Sequence, residues 1–204
     1  MNTRFERRSA LVTGVLAVAL WVVGLVVSQA STSHLSDKAT DAQVLAWVQG
    51  NKNPIILGSW LFMIGCISFV WFAGILRSRL ASAEGGTHAL SAIAFGGALA
   101  AAVMGLGTQA DIASAINAPD VSAPTAGTFH HLGDLFFMGA ELSLITMLAA
   151  VTALAYRTAV VPKWWGTVGW AALIFGLPVW TLVTSVLLAR TPRSRAVTAA
   201  AATA

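Results

Sequence analysis

The chain has 204 residues, of which 57% are hydrophobic and only 10% are charged. A soluble domain of this size cannot bury so much apolar surface, so the composition indicates an integral membrane protein and excludes a soluble globular domain. The net charge of +4 comes from basic residues at the ends of apolar runs, which is typical of membrane topology and argues against nucleic-acid binding.

The first predicted span covers residues 9–30 and follows a basic leader with Arg4, Arg7 and Arg8. The positive-inside rule therefore places the N-terminus in the cytoplasm. The alternative is a signal peptide cleaved after Ala30, but its apolar part would exceed the usual length of about 7 to 15 residues. Under either interpretation the loop that follows lies outside.

The first outer loop contains a short predicted helix. Thr40 and Gln43 have capping-box spacing, and Gly50 ends the pattern. The apolar residues between them are expected to lie on the outer membrane surface or to cover the mouth of the bundle.

The second and third spans are predicted over residues 55–76 and 89–108. Arg77 and Arg79 end the second span on the cytoplasmic side, and Glu84 and His88 are expected to be solvated in the short polar connector. Small residues at four-residue spacing let helix backbones approach closely, so the third span is predicted to be the central packing helix. The packing positions are Gly97, Ala101 and Gly105.

A second outer loop, residues 109–129, contains no lysine or arginine. Its topology is expected to bring Asp111 close to His130 and His131, where the fourth span begins. The fourth span is predicted over residues 130–156 and carries the polar stretch HHLGDLFFMGAE.

Helical geometry places His130, Asp134 and Glu141 within about 40° of one another, whereas His131 lies off this face by about 100°. Glu141 is roughly 16 Å further along the helix than His130, close to the membrane midplane. A carboxyl at that depth costs about 2.5 to 3.5 kcal/mol, so it must face other helices or water, or be protonated.

The fifth span is predicted over residues 166–189, with Pro178 as a kink or hinge near its middle. Five spans place the C-terminus outside, although the tail carries three arginines. Residues 197–204 are expected to be disordered.

Three interpretations of the polar stretch remain open. In the first, its residues are structural and pack against neighbouring helices. In the second, Glu141 is the protonatable site of a proton-coupled or ion-coupled transporter or channel, with Asp134 and His130 as an outer relay. In the third, His130 and Asp134, spaced i and i+4, bind a metal ion. Either His131 or a residue of the outer loops, Asp111 or His34, completes the shell.

Several segments resemble a known family. The segments are ALAYRTAVVPKWWGTVGW, with Arg157, Pro162, Trp165 and Gly166, and the connectors DAQVLAWVQGNK and ILRSRLASAEGG. They are similar to the family called domain of unknown function 4386, a group of small actinobacterial multi-pass proteins. The resemblance implies a helical bundle in the cell membrane and carries no activity with it.

The sequence thus predicts an all-α protein, with residues 1–204 forming a single membrane domain of about five transmembrane helices in the plasma membrane. The expected role is structural, accessory or regulatory, without enzyme activity and without a cofactor. The expected partners are the lipid bilayer and another copy of the chain or a second membrane protein.

Overall fold

The structure is a computed structural model that describes residues 3–29, 35–36, 38–158 and 186. This part of the chain is helical and contains no β-strand. Its helices, in chain order, are α1 (Thr3–Gln29), α2 (Asp41–Gly50), α3 (Lys52–Glu84), α4 (Ala89–Gly107), α5 (Asp111–Ile116) and α6 (Ala123–Arg157).

The all-helical prediction is confirmed for the described residues. Four segments are long and apolar enough to cross a membrane, namely Arg8–Ser28, Lys52–Glu84, Ala89–Ile116 and Ala123–Arg157. They correspond to the first four predicted spans. The fifth predicted span, its hinge at Pro178 and the tail over residues 197–204 lie outside the described residues.

The long helices pack in chain order, with α1 against α3, α3 against α4 and α4 against α6. Large side chains of α3 and α6 are fully buried in a core that also includes residues of α1 and α4; they include Phe69, Phe72, Met147 and Leu148. The short helices α2 and α5 lie at one end of this bundle, which we call the α2 end.

Glycines set the closest helix contacts. A methyl group added to Gly97 of α4 would lie 2.7 Å from the backbone nitrogen of Met147 and 2.8 Å from the carbonyl oxygen of Ser143, both on α6. Ala101 and Gly105, on the same predicted ridge, are also buried. The neighbouring Gly96 has open space where a methyl group would be. Only the ridge predicted for packing is therefore in close contact with another helix at this level.

Helix α2 covers the mouth of the bundle. Its capping box is confirmed, because the Gln43 backbone N–H donates to the Thr40 hydroxyl and the Thr40 N–H donates to the Gln43 side chain. Val44 and Val48 are buried against Ile55 of α3 and against residues of α5 and α6. This contact decides between the two predicted placements of α2 in favour of a cover over the bundle.

The helix that carries the fourth predicted span begins before the predicted start of that span. Helix α6 begins at Ala123, not at His130, because Ser122 caps it by accepting from the Thr125 N–H and Pro124 suits the first helical turn. The segment predicted as the second outer loop is therefore largely helical. It forms α5 and about the first two turns of α6.

The opposite end also differs from the prediction. Helix α3 continues past Arg77 to Glu84, and Arg79 is buried. The Glu84 carboxylate is not simply solvated, because it accepts from the backbone N–H groups of Leu90 at 2.7 Å and Ser91 at 2.9 Å. It satisfies two donors in the first turn of α4 that have no partner within their helix.

Candidate functional site

The α2 end contains a cavity of about 720 Å³. Small-molecule sites in proteins commonly measure about 300 to 1,000 Å³, and the volume of this cavity lies within that range. The cavity is bounded by α1, α2, α3 and α6 and by the turn that precedes α5. Each of the long helices except α4 thus contributes to its wall.

One wall is apolar and aromatic. Side chains from four helices provide it, and the main ones are Leu25, Trp47, Ile55, Phe62 and Phe137. Such a surface contacts the body of a ligand without fixing its orientation.

The polar wall is built around a pair formed by Asp111 and His130. Asp111 is the first residue of α5, and His130 lies in the third turn of α6. The two helices approach closely enough to bring His130 Nδ1 within 2.9 Å of Asp111 Oδ2. Their side chains are only 26% and 21% exposed, so the contact is partly shielded from water. The predicted proximity of Asp111 and His130 is thus a direct contact.

This pair defines the chemistry of the imidazole. An ionised carboxylate only accepts hydrogen bonds, so His130 donates from Nδ1 to Asp111. When the ring is neutral, Nε2 is left as an acceptor. The His130 ring also packs against Trp47 of α2 in a T-shaped arrangement, with ring centroids 6.2 Å apart. Three elements therefore hold the imidazole in place.

A second pair lies on the same helix. His131 Nδ1 and Asp134 Oδ2 are 4.0 Å apart, which is too far for a hydrogen bond and at the limit of an ion pair. Their side chains are 63% and 67% exposed, yet both residues line the cavity. Asp134 therefore remains accessible to a ligand, whereas Asp111 is engaged by its histidine.

Glu141 does not join these residues. Among the described residues, the cavity lining includes His130 and Asp134 but not Glu141, which is exposed on α6. A shared helix face does not give a shared environment, because the helices that surround α6 change along its length. The cavity therefore contains two of the three residues of the predicted polar pocket.

The predicted metal ligands also separate into two pairs. Within the described residues, no group of three or more histidine, cysteine, aspartate or glutamate side chains is arranged to hold a metal ion. The pairs are His130 with Asp111 and His131 with Asp134. His34, the other candidate from the first outer loop, lies outside the described residues.

Several polar residues of the wall were not predicted from the sequence, and two of them form a hydrogen-bonded pair. Thr108 and Gln109 line the cavity from the turn after α4, and the Gln109 amide donates to the Thr108 hydroxyl at 2.8 Å. The only available signal was their position at the end of a membrane run. That position does not show which helices they face.

Comparisons with known proteins do not extend this description. No family model, no curated protein and no solved structure matches the chain. The resemblance to domain of unknown function 4386 stays a prediction.

Proposed function

We propose that this chain is a multi-pass membrane protein with an accessory or regulatory role, which binds a small molecule in the cavity at its α2 end. The observation that carries the proposal is the cavity itself, with an aromatic wall and a shielded pair of Asp111 and His130. A large apolar surface with a few convergent polar groups is the usual composition of a ligand site.

The regulatory part of the proposal follows from which helices form the wall. Leu25 of α1, Ile55 of α3 and His130 of α6 all line the cavity, whereas α1 packs mainly on α3 and α6 mainly on α4. A ligand would connect α6 with α1 and α3, which have few direct contacts with α6. It would therefore favour one arrangement of these helices over others.

A proton-coupled carrier is the less supported alternative. It would need a polar connection from His130 and Asp134 to Glu141, roughly 16 Å from His130 along α6. The cavity lining stops before Glu141. An accessory role needs no such connection.

The binding proposal predicts that a small neutral probe reaches Trp47 through the cavity. A phenyl diazirine photolabel should modify Trp47, which is only partly exposed, and filling the cavity by Ala39→Trp should reduce that labelling at least about fivefold. Ala39 lines the cavity next to α2. Labelled peptides are quantified by mass spectrometry on protein in lipid nanodiscs.

The internal control is Trp71 on α3, which is 68% exposed and does not line the cavity. Its labelling should be the same in both proteins. If Trp71 of the wild-type protein were labelled and Trp47 were not, the proposal would be contradicted.

We further propose that the chain lies in the plasma membrane with the α2 end outside. The distribution of basic residues supports this orientation, because Arg8, Arg77 and Arg157 lie toward the opposite end of their helices. An excess of basic residues at one end of a helical bundle is typical of the cytoplasmic side.

Single cysteines test the orientation in intact cells. In a Cys66→Ala background, Lys38→Cys should react with a membrane-impermeant maleimide, whereas Thr87→Cys should react only after the cells are opened. Both positions are exposed, Lys38 just before α2 and Thr87 in the connector at the other end. Labelling of Thr87→Cys alone in intact cells would reverse the proposed orientation.

A further inference from the structure

We infer that the cavity takes an amphipathic organic cation, a molecule with one positive charge on an apolar or aromatic body. This inference rests on the proposed function, because it names the class of ligand for the same cavity. Its basis is the combination of charge, shape and aromatic surface in the cavity wall.

The charged groups of the wall favour a cation. The described residues that line the cavity include two aspartates and two histidines but no lysine or arginine. An anion such as a phosphate or a fatty-acid carboxylate would therefore meet carboxylates without a fixed positive charge to balance it. A cation would meet no fixed positive charge among these lining residues.

The two carboxylates have different availability. Asp111 already accepts from His130 and is largely covered. Asp134 is 67% exposed, and its ion-pair neighbour among the described residues, His131, is 4.0 Å away. Asp134 is therefore the carboxylate that a ligand can reach. The carboxylate of Asp111 is engaged by His130.

The remaining wall suits the body of such a ligand. Trp47, Phe62 and Phe137 provide aromatic rings, whose faces attract organic cations, and Leu25 and Ile55 provide aliphatic surface. A small inorganic cation would gain nothing from these groups. It would also find no third ligating side chain among the described residues.

Two ions of matched shape test the charge preference. Tetraphenylphosphonium and tetraphenylborate both carry four phenyl rings around one atom, with opposite charges. Each ion is titrated separately by equilibrium dialysis against the full-length protein in zwitterionic lipid nanodiscs, and binding to empty nanodiscs is subtracted. We expect saturable binding of tetraphenylphosphonium and no saturable binding of tetraphenylborate.

Two substitutions on the same helix locate the site. Asp134→Asn should weaken tetraphenylphosphonium binding at least about tenfold, because it removes the accessible carboxylate. Glu141→Gln removes the same charge further along α6, outside the cavity lining, and should leave the affinity unchanged. Both side chains are exposed, and circular dichroism of the variants checks that the helices are retained.

The outcomes separate this inference from the proposed function. Equal binding of the two ions, no saturable binding of tetraphenylphosphonium, or equal affinity of the Asp134→Asn variant and the wild type would overturn the cation assignment. Photolabelling of Trp47 through the cavity would then still support the binding role. Loss of that labelling in the wild type would remove the proposed function itself.

Discussion

We expect Gly97→Ala to lower the free energy of unfolding by about 1 to 3 kcal/mol, the usual cost of overpacking a close contact. The added methyl group would lie 2.7 Å from a backbone nitrogen of α6, and backbone cannot rotate away as a side chain can. The two helices must therefore separate. The measurement is the free energy of unfolding of wild type and variant in the same mixed micelles.

The adjacent glycine provides the control. Gly96→Ala adds the same methyl group to the same turn of α4, where nothing lies within 4 Å. Alanine also favours a helix over glycine by about 1 kcal/mol, so this variant should be as stable as the wild type or slightly more stable. Equal stability of the two variants would show that the contact at Gly97 tolerates a side chain.

The second large effect is expected from Val48→Asp. Val48 of α2 is fully buried, and a carboxyl at this position would have to leave water. Burying a polar group without a partner costs at least about 2 kcal/mol, and a charge costs more. We expect α2 to detach from the bundle, which faster amide hydrogen exchange over residues 41–50 would report.

Ala46→Asp is the matched control, because it places the same carboxyl on the exposed face of the same helix. Its amide exchange over residues 41–50 should stay close to that of the wild type. If both aspartates raised the exchange equally, the effect would come from the weak helix propensity of aspartate. The buried contact of Val48 would then contribute little.

Local patterns in the sequence were sufficient to predict much of this fold. The capping box at Thr40, the end of α2 at Gly50 and the small-residue ridge at Gly97 depend only on residues within one or two helical turns. The approach of Asp111 to His130 followed from the order of the spans. None of these predictions required knowledge of how the helices pack.

The features that were missed depend on contacts between segments. The cap that Glu84 places on α4 crosses a connector in which Gly85 and Gly86 have positive φ angles, and no residue spacing predicts which donors it reaches. Glu141 shares a helix face with His130 but not its neighbours. The position of a residue on a helix could be predicted, and the helix that covers it could not.

The packing of the long helices in chain order has a consequence for assembly during synthesis. Each of α3, α4 and α6 packs against the long helix that precedes it in the chain, so these pairs can form one after another. The contact between α2 and α6 is different, because the three long helices α3, α4 and α6 are all made after α2. The cavity is therefore complete only after α6 has been inserted, which makes its cover the last part of the described bundle to form.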